Sequence, residues 1–465
     1  EHVGGLVGSN EARITNDGAD GSIVNNSTSQ AEIVNSYATG MVAGGNYTGG
    51  LVGFSDGSIS SSYATGSVVG GDYTGGLVGY AQGSISNSHA TAIVNGNGNV
   101  GGLVGGSDGY LSINDSHASG NVSGTDSVGG LIGYSWQGDI VRSFATGRVE
   151  GNNYVGGLVG DNRGGDIQSS HAAGNVLGQS DVGGLVGANI NGTVSESYAS
   201  GLVTSTDYRS GGLVGDNRDG GVITNSHASG NVSGYYGVGG LVGANRNVLS
   251  GWSGLTINDD NTISRISKSY ATGNVTGTNT VGGLVGLNAS EIRFVGLDTI
   301  AINNSSRNAE IISSYAIGNV TGNEYVGGLV GTNRSVLVVD NVTNASIASS
   351  SSTASINESY ATGAVTINNA GDFVGGLVGA NQNEFDAANQ NIMGGGSLAI
   401  TTRSFWDTST SGQLNSAGGT GKTTAELLTQ STYTDAGWSF GSSPNSGTWF
   451  MVDGETRPFL QSEYS

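Results

Sequence analysis

Residues Ser416 to Thr423 end in Gly421-Lys422-Thr423, the order in which a phosphate-binding loop offers its lysine and hydroxyl to a nucleotide. Such a loop needs glycine at its first position, a hydrophobic strand before it and an acidic strand later. Ser416 stands first here and neither strand is evident. Gly53-Phe54-Ser55-Asp56-Gly57 and Gly105-Gly106-Ser107-Asp108-Gly109 have the spacing of a nucleophile elbow. With 86 glycines, such matches arise by chance, and no strand-to-helix turn is available to aim the serine. His89 and His117 occupy equivalent repeat positions and suggest a metal pair, but other repeats place Tyr or Phe there and no carboxylate recurs beside them. Ring stacking explains that column better than ligation. Asp161, Asp216 and Asp219 could hold calcium weakly at turns, although solvated charge is the plainer outcome. A β-helical polysaccharide-active enzyme would need charged groups clustered at a groove. Arg142, Arg148, Arg163, Arg209 and Arg218 instead fall at several repeat positions, only Arg163 and Arg218 sharing one. No catalytic, cofactor-binding or metal-ligating residue is assigned, so no enzyme activity and no cofactor are expected.

What positions all these residues is a repeat. Gly-Gly-Leu-Val-Gly stands at Gly49–Gly53, Gly75–Gly79, Gly101–Gly105 and nine further places from Gly4–Gly8 to Gly375–Gly379, once with Ile132 for valine. Between Gly49 and Gly239 the copies recur every 26 to 28 residues, each followed by a phrase like Ser62-Tyr63-Ala64-Thr65-Gly66. A fixed period of this size implies stacked coils, none of which buries its apolar face alone. After Gly243 the period lengthens to between 43 and 48 residues, always by insertion between the two phrases: Asn245–Arg265, Asn288–Glu310, Asn333–Ala354 and Asn381–Thr401. A similar insertion, roughly Ser9 to Ile33, enters the first repeat. Insertions confined to one point project from one face, and runs such as Ile292–Val295 and Val336–Val339 predict a lateral shelf of strands stacked on each other.

Glycine every few residues excludes long helices, and β-branched residues crowd the gaps. In Ser269-Tyr270-Ala271-Thr272-Gly273-Asn274-Val275, period two puts Ser, Ala, Gly and Val on one face and Tyr, Thr and Asn on the other. The constant alanine predicts a cramped interior. Stacking predicts columns: aromatic residues from Tyr37 and Tyr63 through His89, His117, Phe144, His171, Tyr198, His227, Tyr270, Tyr315 and Tyr360 to Phe405, and an asparagine ladder at Asn10, Asn162, Asn189, Asn217, Asn245, Asn288, Asn333 and Asn381. The facing of the leucines is open, because Leu and the following Val have opposite parity.

Bulk properties narrow the partners. A net charge of −21, with no basic patch, excludes nucleic acid. The absence of cysteine removes disulfides, thiolate metal sites and cysteine nucleophiles together. No signal peptide or membrane span is visible, so no membrane insertion is expected, and the chain opens inside a repeat phrase, as a piece of something longer would. From Ser404 the repeat stops; Phe405-Trp406-Asp407, Trp438, Pro444, Trp449 and Pro458 predict a segment that covers the last open strand edge.

These phrases resemble the GLUG-motif repeats of large bacterial surface and secreted proteins. The resemblance runs from Val3 to about Gly379. It continues through Ser404-Phe405-Trp406-Asp407, Ser411-Gly412-Gln413, Gly418 to Leu427 and Gly437-Trp438-Ser439-Phe440. It implies an extracellular or cell-surface repeat region of an adhesin-like exoprotein and no chemistry.

The expected architecture is an all-β solenoid of about twelve coils. Residues 1–402 form the repeats, compact over 49–243 and carrying lateral insertions in 1–48 and 244–402; residues 403–465 form the C-terminal capping segment. The expected role is a non-catalytic stalk or adhesive region. Its partners would be a surface glycan, a host or neighbouring-cell surface, or further copies of itself. Three alternatives stand beside it: an extracellular filament subunit, a polysaccharide-active enzyme, and an ice-binding face formed by outward Thr272, Asn274 and Thr276. Arg148, Glu150, Leu177 and Leu202 interrupt that last row at equivalent sites.

Overall fold

The computed structural model describes residues 2–10, 14–15, 31–251, 255–295, 299–340, 342, 344–368, 373–386, 391–393, 396–441 and 446–463. At 58% strand and 4% helix, with parallel strands stacked in long sheets, the chain is a β-solenoid of about twelve coils. It divides into two compact units, Glu1–Asp216 with Ser226–Ser233, and Asn217–Asn225 with Gly234–Ser465.

One coil of the first unit shows how the sequence makes the shape. Thr74–Gly75, Val78–Ala81, Ser84–Ser86, His89–Ala90 and Ile93–Asn95 are five short strands. Each pairs in parallel with its counterpart one coil on: Thr74 with Val100, Val78 with Val104, Ile85 with Ile113, Ala90 with Ala118 and Val94 with Val122. The strands are short because left-handed residues break them, among them Tyr73 at φ 57° and Asn87 at φ 48°.

The glycine phrase is itself a corner. A Cβ on Gly75 would lie 1.9 Å from the Val78 carbonyl oxygen, and one on Gly76 would lie 2.0 Å from that of Gly102, so no larger residue fits either position. Across this corner the alternation of faces is lost, and Leu77 and Val78 both point into the coil, fully buried. Each such side chain contributes about 1.5–3 kcal/mol relative to exposure. The facing that parity left open is thereby settled: both columns are inside.

The Ser-aromatic-Ala phrase packs against that corner. Ser62, Ala64 and Val68 are buried and Tyr63 lies outward, as period two requires. Ala64 faces the glycine wall so closely that a Cβ on Gly50 would stand 2.9 Å from its own Cβ. The buried serine hydroxyls are satisfied in two directions. Ser62 Oγ donates to the Ser60 carbonyl at 2.8 Å and accepts from the backbone N–H of Ser36, one coil earlier, at 3.1 Å; Ser88 and Ser116 repeat the pattern.

In the second unit the insertions form a side lobe of three parallel sheets. The strand after each glycine phrase is long (Val242–Leu249, Val285–Val295, Val330–Asp340, Val378–Asp386), and so is the strand before each Ser-aromatic-Ala phrase (Asn261–Ser267, Ser306–Ile312, Ser351–Asn357, Gly396–Thr402). Between them Leu255–Asn258, Thr299–Asn303, Asn344–Ala348 and Asn391–Met393 make the four-stranded sheet that the sequence places as a shelf. Leu249, Ile292, Phe294, Ile300, Ile302, Leu337 and Val339 fill the lobe. Of the insertion in the first repeat, only its ends are described: Ile14–Thr15 pairs with Ile33 and Val34.

The tail closes the second unit's last coil. Phe405–Asp407 pairs with Tyr360–Ala361 on one side and Thr420–Lys422 on the other. Ser416 Oγ accepts from the backbone N–H groups of Leu377 and Val378, at 3.2 and 2.8 Å, and the Gly376 N–H donates to the Asn415 carbonyl at 3.0 Å. These bonds meet strand-edge groups that would otherwise be open. Tyr360, Phe405, Tyr433, Trp438, Trp449 and Leu460 pack together over that edge. Pro444 lies outside the described residues. Among the described residues no helix is long and apolar enough to cross a membrane.

Candidate functional site

The residues that the sequence offers for catalysis are engaged structurally. Ser55 and Ser107 are buried at strand ends, donating to the carbonyls of Gly57 and Gly109 at 3.3 and 3.1 Å, and no helix follows either. Lys422 lies in a strand and pairs with Glu426 at 3.2 Å, while the helix that follows, Thr424–Leu427, is one turn closed by a Thr423–Glu426 capping box. Ser416 is spent on the last coil, as described above.

The aromatic column is a stack. In the first unit it runs Tyr37, Tyr63, His89, His117, Phe144, His171, Tyr198, His227, with centroid distances of 4.6 to 5.2 Å and planes within 8°. In the second unit Tyr270, Tyr315 and Tyr360 stack at 5.0 Å. Burial pushes the His117, His171 and His227 imidazoles below their ordinary pKa, and the neighbouring His89 adds to the effect at His117.

The amide ladder forms within each unit, but Asn10, placed in it by the spacing, pairs in register with Ser55 and not with another asparagine. In the second unit each Asn Nδ2 donates to the next Oδ1, from Asn217 to Asn245 to Asn288 to Asn333 at 2.8 Å and on to Asn381 at 3.0 Å. Asn381 ends the run by donating to the Ala417 carbonyl at 2.7 Å. In the first unit Asn162 donates to Asn189 at 2.8 Å. A second set was not anticipated: outward Asn274 and Asn319 accept the backbone N–H of the following coil, Asn319 and Ala364 respectively, at 3.0 Å. Thr276 in that row is exposed and Thr272 half-buried.

The aspartates considered for calcium each have an arginine close by. Arg163 grips Asp161 through two nitrogens at 3.0 and 2.9 Å. Arg209 holds Asp181 in a two-pronged pair and stands 3.8 Å from Asp216. Asp219 lies 4.0 Å from Arg218.

Asp161 and Arg163 belong to a wall that sequence inspection missed. In seven coils of the first unit the residue two before the glycine phrase is left-handed: Tyr47, Tyr73, Asn99, Ser127, Tyr154, Asp181 and Arg209, at φ 50° to 57°. Beside this column runs the residue after the phrase, where Phe54, Tyr80, Gly106, Tyr134 and Asp161 lie in successive register. The two columns interlock. Tyr47 stacks on Tyr73 at 5.0 Å, Phe54 stacks on Tyr80 at 5.5 Å, and Tyr73 meets Tyr80 edge-on at 5.4 Å. Where Asn99, Ser127 and Gly106 replace rings, the wall opens into a cleft of about 490 Å³ lined by Tyr73, Asp108, Tyr134, Tyr154, Asp161 and Arg163 among others. The signal was present in the recurring tyrosine of Tyr47-Thr48, Tyr73-Thr74 and Tyr154-Val155, just ahead of the phrase.

Fold and surface together define a β-solenoid repeat protein whose polar side chains mostly brace one coil against the next. The GLUG motif model matches residues 44–69 and 70–95, two consecutive coils, and the same phrases recur along the chain. No match was found among curated proteins or among solved structures.

Proposed function

We propose that the chain is a non-catalytic structural repeat region, working outside the cell as the stalk or adhesive part of a surface or secreted protein. The observation that carries this is where the reactive side chains go. The column serines and asparagines, which could act as nucleophiles or ligands, are bonded to the neighbouring coil, and the column histidines are stacked between rings. Each unit offers a repetitive surface and places functional groups at a fixed spacing of about 4.8 Å per coil. Its partners would be a glycan, an opposing cell surface or further copies of the chain. The test is to apply antibodies raised against residues 49–243 to producing cells before and after permeabilisation. Labelling of intact cells is expected; labelling that needs permeabilisation overturns the extracellular assignment.

A further inference from the structure

The gap in the aromatic wall is built from small residues at positions that hold rings elsewhere. Asn99 and Ser127 stand in the left-handed column between Tyr73 and Tyr154, and Gly106 stands between Tyr80 and Tyr134. Three coil steps separate Tyr73 from Tyr154, on the order of 14 Å at 4.8 Å per step. The resulting cleft, about 490 Å³, falls within the usual size of a small-molecule site. The tyrosines give it apolar faces. Asp108 and Asp126 stand exposed at its edge, and Asn99 and Arg163 add an amide and a guanidinium.

The lining selects a ligand class. Carboxylates outnumber the one guanidinium, so a polyanion is repelled. A cation would seek the tyrosine faces, but Arg163 already lies over the Tyr134 ring, 5.6 Å from its centroid, while paired with Asp161. A purely apolar ligand would strand the carboxylates. A neutral polyhydroxylated ring satisfies all of them: its C–H face packs on tyrosine, and its hydroxyls donate to Asp108 and Asp126 and accept from Asn99 and Arg163. The Tyr73 hydroxyl, which burial and then the Asp108 charge push up to about 12, remains a donor at any physiological pH.

We propose that this cleft binds a pyranose unit of a surface glycan, packed against the Tyr73 and Tyr154 rings and held by the acidic rim and Arg163. The inference rests on the non-catalytic display role proposed above and gives that role a site.

The test is a printed array of defined glycans probed with the full 465-residue chain, followed by calorimetry on the glycans that bind. Asn99→Tyr is the informative variant. Tyrosine already occupies the equivalent site at Tyr47, Tyr73 and Tyr154, so the substitution extends an existing stack and fills the cleft without disturbing the coil. Binding should fall at least about tenfold in Asn99→Tyr and in Tyr154→Ala, the loss of about one aromatic contact, with circular dichroism and melting of Asn99→Tyr unchanged. Failure of every arrayed glycan to bind, or undiminished binding by Asn99→Tyr, overturns the site while leaving the display role standing. Binding of tetramethylammonium chloride in place of any glycan also overturns it, in favour of a cation cage. Release of new reducing ends from a bound glycan would instead refute the non-catalytic role and leave the site in place.

Discussion

His89 and His117 stack face to face, ring centroids 5.0 Å apart and planes 3° from parallel, with Phe144 continuing the stack 4.6 Å beyond His117. Burial disfavours the charged form at His117, His171 and His227, and the neighbouring imidazole adds to the effect at His117. A depressed folded pKa means that the unfolded chain binds more protons at mildly acidic pH. The stabilisation is therefore complete above the unfolded value of about 6.5 and is lost as pH falls through the lower folded values. The melting temperature should drop between pH 8 and pH 5.5, and His117→Phe, which copies the residue at Phe144, should flatten that drop. Thermal melts at the two pH values check it; equal drops in both proteins would assign the effect to other groups.

The alanine column makes a steric prediction. Ala172 is fully buried, and a Cβ on Gly157 would lie 2.9 Å from its Cβ, so nothing larger fits between the two walls. Ala172→Leu should cost about 1–3 kcal/mol through overpacking, read as a lower midpoint in urea unfolding. Ala172→Gly, which clashes with nothing, should stay well above it.

How far the sequence reveals this molecule depends on which rule each residue obeys. Stacking translates a period into columns directly, so the Asn217-to-Asn381 ladder, the Tyr37-to-His227 stack and the lobe strands were all legible. The facing of Leu77 was not, because alternation holds only within a strand and Leu77 sits on a corner between two. The buried serine ladder inside the lobe was also hidden: Ser352 donates to Ser290 at 2.8 Å and Ser335 to Ser352 at 3.0 Å, pairings that need the depth of two sheets. The cleft was hardest to see, since it consists of side chains that are missing, at two repeat positions flanking the glycine phrase.

The ladder itself can be broken at one rung. Asn288 is fully buried, accepts from Asn245 at 2.8 Å, and donates to Asn333 Oδ1 at 2.8 Å and to the Ala309 carbonyl at 3.2 Å. Asn288→Ala leaves neighbouring amide groups short of a partner and should cost about 1–3 kcal/mol. Asn288→Asp is the sharper variant. At pH 7 it sets a buried anion against the Asn333 oxygen, so it should be the less stable of the two. Denaturant titration ranks them, and the reverse order would mean that water reaches the ladder.

The last prediction concerns the closure of the tail. Asp407 is fully buried, caps the helix Thr408–Ser411 through the backbone N–H groups of Ser409 and Thr410, accepts from the Thr424 hydroxyl and pairs with Arg457. Burial pushes its carboxyl up, but hydrogen bonds from Thr424, Arg457 and Ser409 outweigh burial and hold it below the ordinary carboxylate value. Its contribution is therefore present above an unfolded pKa of about 3.9 and is lost as pH falls through the lower folded value. Removing the cation while leaving the anion buried is the expensive way to break such a pair. Arg457→Ala should cost about 3 kcal/mol, concentrated in residues 403–463, where most of the aromatic cluster lies. Arg457→Lys keeps the charge and should recover part of the loss. Limited proteolysis read by mass spectrometry distinguishes the outcomes: Arg457→Ala should be cut early within the tail while the compact coils stay intact. Equal resistance of Arg457→Ala and the parent chain would show that Thr424 and the helix N–H groups suffice for Asp407.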